Sequence, residues 1–193
     1  RPHQAWLHRL GTDPADDVLL HEEPDERFWM GLSTSRDEHT LLVELGSRTT
    51  TETWLLDAAE PQSRMRCVAP RRDGVEYEVE VAPDALYILH NDGAPQFALA
   101  TAPVDATSAD QWRPLIAENP RTRLMGVDAY TRALVVSHLT DGLPGVDVIA
   151  RHTDGTLGAR RPIEFDEAIY DVDADGEPDV DTDRIRLTYE SMV

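Results

Sequence analysis

Apolar runs recur in this chain every 43 to 51 residues, and that period limits its architecture more than any other feature. Leu41-Leu42-Val43, Leu86-Tyr87-Ile88-Leu89, Leu134-Val135-Val136 and Ile185-Arg186-Leu187 begin 45, 48 and 51 residues apart. A second series keeps step with the first: Trp6-Leu7, Trp54-Leu55-Leu56, Phe97-Ala98-Leu99 and Val146-Asp147-Val148-Ile149, at intervals of 48, 43 and 49 residues. A repeat of this length filled with short strands is the mark of a β-propeller blade. One such sheet cannot bury both of its faces alone, so successive units must stack on one another. Chemistry is then expected at the ring axis, in loops or in another part of the polypeptide.

Between the runs the local signals are those of strands and turns. Val75, Tyr77, Val79 and Val81 alternate with Glu76, Glu78 and Glu80, a period of two. Asp73-Gly74, Asn91-Asp92-Gly93, Asp141-Gly142 and Asp154-Gly155 supply turn chemistry. The one helix candidate, Ser108 to Trp112, meets Pro114 almost at once and reads as a turn into a short strand. The predicted fold is all-β: a partial β-propeller of about three complete four-stranded blades plus two half blades. The outer half blade is residues 1–25, the complete blades are 28–70, 75–118 and 123–165, and the inner half blade is 168–193. Half blades leave strand edges open, so the chain is expected to self-associate through them or to fray.

Composition narrows the partners. Eighteen basic and 37 acidic residues give a net charge of −19, which repels phosphate backbones and excludes nucleic acid. Such a surface favours cationic ligands, although solubility alone also explains it. No stretch comes near the roughly 18 apolar residues of a membrane span. The single cysteine, Cys67, rules out an internal disulfide, fits a reducing, cytoplasmic setting and reads as a strand residue. There is no initiator Met, and Arg1-Pro2-His3 leads straight into strand-like sequence, so the chain is expected to be cut from a larger protein.

Several segments carry a family resemblance. Arg1-Pro2-His3-Gln4-Ala5-Trp6-Leu7-His8-Arg9-Leu10-Gly11-Thr12, the strand Leu20 to Asp25 with His21-Glu22-Glu23, and Thr50 to Ala58 stand in the first third. Pro70-Arg71-Arg72-Asp73-Gly74-Val75-Glu76-Tyr77, Arg123 to Asp128, and Arg186 to Met192 follow in order. Together they resemble oligopeptidase B (protease II), of the prolyl oligopeptidase family of serine peptidases. The resemblance implies the C-terminal half of a seven-bladed propeller that covers an α/β-hydrolase domain. That domain would carry the Ser-Asp-His triad and would cleave short peptides after Lys or Arg, while the propeller keeps folded proteins out. The implied partners are the protein's own hydrolase domain and short basic peptides; no cofactor is implied. This chain departs from the family in lacking a nucleophile segment, so it is expected to be inactive alone. The acidic stretch Asp171 to Gly176 is a second departure. A stand-alone propeller serving as a protein-interaction module is the alternative.

Few residues are candidates for chemistry. Gly31-Leu32-Ser33-Thr34-Ser35 has Ser35 where a nucleophile elbow needs its second glycine, and it runs into another strand. The seven histidines form no zinc pattern; His90 and His138 fall at similar points of successive repeats and read as structural or solvent-facing. Asp171, Asp173 and Asp175 followed by Gly176 match the start of a calcium loop, but Thr182 stands where the closing Glu belongs. The run reads in preference as an inner strand running into a polar turn before Ile185, with no metal. The inner strands place Glu78, Glu80, Asp128, Asp171 and Asp173 near a central channel, where some could steer Lys- or Arg-bearing peptides. Ion pairs to Arg123, Arg132 or Arg184 between blades are the other reading. Trp6, Trp54 and Phe97 recur at blade spacing and are expected to pack between blades.

Overall fold

A computed structural model describes residues 1–191. Met192, the end of the last segment quoted above, and Val193, the end of the 168–193 half blade, lie outside the described residues. Sixteen short strands and two single-turn 3-10 helices make up the regular structure of the described residues. The strands form three four-stranded and two two-stranded antiparallel sheets, each a simple meander in sequence order. The chain is therefore a partial β-propeller: three full blades and two half blades.

Contacts divide the chain into two compact units. The first comprises Arg1–Glu78 with Asp105–Gln111, and the second Val79–Val104 with the chain from Trp112 onward.

The first unit begins with β1 (Gln4–Leu7) paired to β2 (Val18–Glu22). Next come β3 (Trp29–Thr34), β4 (Thr40–Gly46), β5 (Thr51–Asp57) and β6 (Arg66–Cys67), in the order β3-β4-β5-β6. Met30, Val43, Leu45 and Leu56 project from one side of this sheet into a core shared with Ala5 and Phe28. Expected packing by Trp6 is not found. Ala5 is buried, so the pleat turns the next residue outward; Trp6 is 52% exposed and donates from Nε1 to Gln4 Oε1 at 3.2 Å. Trp54 does join the core, with its indole 5.0 Å from the His21 ring on β2.

The chain passes to the second unit within β7 (Tyr77–Val81), which opens the sheet β7, β8 (Leu86–His90), β9 (Ala98–Ala102) and β10 (Arg113–Ile116). The third complete sheet is β11 (Thr122–Ala129), β12 (Ala133–Thr140), β13 (Leu143–Arg151) and β14 (Leu157–Pro162). Its β12–β13 hairpin turns at Asp141-Gly142 with φ of 51° and 86°, the double positive φ of a two-residue loop that matches strand twist. β15 (Tyr170–Ala174) pairs with β16 (Leu187–Ser191) to end the described fold. Leu89, Phe97, Leu99, Leu124, Leu134, Val136 and Ile149 form one apolar core of this unit. Val135, Val146 and Val172 with Tyr130 form another.

Candidate functional site

The predicted inner-strand acids share strand positions but not environments. Along β7 the pleat buries Tyr77, Val79 and Val81 and turns Glu78 and Glu80 the other way. Tyr77 is fixed by its phenol, which donates to Ala69 O at 2.7 Å and accepts from Thr53 N–H at 2.9 Å. That anchor sets the direction of Glu78 beside it. Glu78 keeps an exposed side chain, yet surrounding protein and the charges of Glu44 and Glu76 push its carboxyl above the ordinary glutamate value. Glu78 therefore touches solvent among two other carboxylates, Glu44 and Glu76. Glu44 is itself oriented by Ser33, whose hydroxyl donates to Oε2 at 3.1 Å. Ser33 thus sits in an extended strand, bonded to a carboxylate.

Glu80 has a structural task instead: Oε1 accepts the backbone N–H of Ala129 at 2.8 Å and ties β7 to the end of β11. Asp128, next to Ala129, is half-buried and lies across from Val135. Asp171 and Asp173 are exposed on either side of buried Val172, opposite Glu190 and Thr188. Asp175 is engaged at the hairpin end, where both carboxylate oxygens accept from Thr188 Oγ1 at 2.8 and 3.0 Å. Among the described residues no three His, Cys, Asp or Glu side chains converge to hold a metal ion.

Two of the arginines expected to pair with these acids, Arg123 and Arg184, have other partners. Arg123 lies 4.6 Å from the centre of the Phe97 ring and donates to Pro95 O, a position set by the start of β11. Arg184 faces Asp183 at 3.7 Å. The turn at Arg132 offers its carbonyl to Arg151 N–H at 2.8 Å.

Two buried networks have no motif in the sequence. In the first unit Glu23 is 1% exposed and takes the Nη2 of Arg71 at 2.5 Å. Glu52, also buried, accepts the Arg71 backbone N–H and the Trp54 indole N–H, both at 2.8 Å. The Arg71 guanidinium lies 4.0 Å from the Phe28 ring centre. In the second unit His138 Nε2 lies 3.2 Å from Asp147 Oδ2, which also pairs with Arg160. His138 Nδ1 meets Thr140 Oγ1 at 3.2 Å, and Thr140 meets Thr122 at 3.0 Å. The only sequence hints were the Glu23 and Arg71 positions of the resemblance segments and a glycine, Gly145, opposite His138.

Residues 1–193 match the family described as prolyl oligopeptidase, N-terminal beta-propeller domain. The chain belongs to this family. Members of the prolyl oligopeptidase propeller family include proteins similar to this one along nearly its whole length. It is 33% identical to Protease 2 of Moraxella lacunata over 193 residues, all of the chain and 27% of that protein. It is 31% identical to Dipeptidyl aminopeptidase BI of Pseudoxanthomonas mexicana over 96% of the chain and 25% of that protein. Among solved structures, oligopeptidase B from Trypanosoma brucei, closed form with covalently bound antipain, superposes with a TM-score of 0.89 at 26% identity. The likeness covers 98% of this chain and 28% of that one. The chain thus spans about a quarter of the length of these relatives, the part that this propeller family describes. Among the described residues no helix is long and apolar enough to cross a membrane.

Proposed function

We propose that this chain is the substrate-gating propeller portion of a serine oligopeptidase like oligopeptidase B, cleaving short peptides after Lys or Arg. Residues 1–25 and 168–193 serve as half blades and 28–70, 75–118 and 123–165 as whole ones. A triad on an adjoining α/β-hydrolase domain does the chemistry, and the propeller acts by size exclusion and charge. The single observation that carries the reading is the match of the whole chain to a propeller whose relatives are named Protease 2 and oligopeptidase B. Net charge supports it, as does the Glu44, Glu76 and Glu78 surface, which attracts a cationic side chain by Coulomb steering. Asp128, Asp171 and Asp173 extend the negative field along the inner strands.

The test has two parts. The chain alone should release no product from Arg- or Lys-linked aminomethylcoumarin peptides, whereas the complete peptidase should, and should prefer them to Pro-linked ones. In the complete peptidase, Glu78→Gln with Asp128→Asn should lower kcat/KM for cationic peptides several-fold at low salt and little at high salt. Equal kcat/KM at every ionic strength removes the steering role; faster turnover of Pro-linked peptides removes the Lys/Arg assignment.

A further inference from the structure

One line of polar side chains crosses all four strands of the third complete sheet. Thr122 Oγ1 on β11 lies 3.0 Å from Thr140 Oγ1 on β12. Thr140 Oγ1 lies 3.2 Å from His138 Nδ1 on the same strand. His138 Nε2 lies 3.2 Å from Asp147 Oδ2 on β13. That oxygen also accepts from Nε of Arg160 on β14. Strand register makes the line continuous, because Thr122 stands opposite Thr140, and His138 opposite Gly145. Gly145 lies directly against the imidazole, where a Cβ would collide with the ring, so the ring plane is fixed.

With a neutral imidazole every link has one direction. Asp147 is buried and faces the Arg160 guanidinium, so its carboxylate accepts. His138 must then carry its proton on Nε2, which leaves Nδ1 as an acceptor. Thr140 donates its hydroxyl hydrogen to Nδ1, and its oxygen accepts from Thr122. With an imidazolium both ring nitrogens donate. Nδ1–H then gives to Thr140 Oγ1, Thr140 turns its hydrogen to Thr122 Oγ1, and Thr122 donates elsewhere. The added proton comes from solvent, which reaches the side chain because it is 13% exposed. Neither threonine loses a proton; each hydroxyl rotates. The ionisable groups around the ring are Asp147, Arg160, Asp141 at the hairpin turn, itself paired with Arg121, and Tyr170 at the start of β15.

We infer that His138 is a pH-sensitive switch inside this blade. Uptake of one proton reverses the Thr140 and Thr122 hydroxyls and so carries the change from the outer strands of the sheet to its first strand. Thr122 opens β11 and forms the bridge to Asn119, so the reversal ends at the turn that enters the blade. The fixed ring is what makes the response directional: it cannot turn over to satisfy Thr140 in another way.

NMR of the 193-residue chain, labelled with ¹⁵N in histidine and ¹³C in the threonine methyls, tests this across a pH titration. His138→Gln identifies the His138 signals. At high pH its Nε2 should carry the proton and Nδ1 should not. On acidification both nitrogens should become protonated, and the Thr140 and Thr122 methyl signals should move with the same midpoint. His138→Gln should abolish that movement. Thr140→Val should leave the imidazole titrating but remove most of the Thr122 response, and Thr140→Ser should restore it. A neutral ring protonated on Nδ1 overturns the inference. So does a Thr122 signal that ignores the His138 titration, and so does a full Thr122 response in Thr140→Val, which would mark an electrostatic effect through space.

Discussion

Arg71 donates from Nη2 to Oε2 of Glu23 at 2.5 Å across 48 residues of sequence. The same guanidinium is 3.4 Å from Glu52 through Nε, so one cation serves two buried carboxylates and holds β2 against the β5 side of the next sheet. Removing the cation strands two desolvated charges. Arg71→Ala should therefore destabilise the first unit by about 3–5 kcal/mol, the usual cost of unpairing a buried ion. Adding Glu23→Gln should return part of that loss. Denaturant melts of the single and double variants measure both; equal stability of Arg71→Ala and wild type would refute the staple.

His138 lies flat against Gly145 on the neighbouring strand. A Cβ placed on Gly145 would stand 2.5 Å from His138 Cε1, and the imidazole has little freedom to withdraw because Asp147 and Thr140 engage its two nitrogens. Gly145→Ala should cost about 1–3 kcal/mol as an overpacking substitution. In a His138→Ala background the same change should cost much less, a coupling that a double-mutant cycle reads directly.

Glu78 gives the first unit a pH signature. Its carboxyl value is raised above the ordinary 4.5, so its contribution to stability is full below that pH and is lost as pH rises through the raised value. At neutral pH the ionised side chain is a liability beside Glu44 and Glu76. Glu78→Gln should stabilise by roughly 0.5 kcal/mol at neutral pH, where solvent screens much of the repulsion at this exposed side chain, and the gain should fade in acid. Melting temperatures of the two proteins across that range should converge; a constant gap would contradict the electrostatic origin.

His21 works in the opposite sense. Burial against Trp54 lowers its value below the ordinary 6.5, outweighing the pull of Glu23 and Glu52. Stability from neutral His21 is present above 6.5 and is lost as pH falls through the depressed value. His21→Gln should flatten that acid limb. Trp54 emission, followed with Trp6, Trp29 and Trp112 replaced by Phe, should drop on the same titration as imidazolium forms beside the indole. An emission profile unchanged by His21→Gln would sink the assignment.

Cys67 should be inert. Burial, with Glu52 close by, pushes its thiol up to about 12, so little thiolate exists near neutrality. Alkylation in the folded chain should run about a thousandfold slower than for a free cysteine and should recover on unfolding. Fast labelling of native protein would show that the β6 region opens.

Much of the fold was legible because strands and hairpins are local. The alternation of Tyr77, Val79 and Val81 with Glu78 and Glu80 marks both β7 and its buried face. Asp141-Gly142 marks a hairpin because few other residue pairs tolerate two successive positive φ values. Other features were not legible. The fourth strand of the 28–70 blade is only Arg66–Cys67, paired against Trp54 and Leu55. Glu78 and Glu80 look identical in sequence; one faces acidic neighbours and the other caps Ala129, because their partners come from different segments.

The chain's order of residues determined by itself that this protein is a series of antiparallel meanders, and where each strand turns. Period-two alternation and turn residues act over a few positions and carry that information whatever lies elsewhere. Only the tertiary structure decided which charges meet: Arg71 with Glu23 and Glu52, and His138 and Arg160 with Asp147. A carboxylate's state depends on the water removed and the cation supplied by strands brought from far along the chain, and no local pattern encodes either.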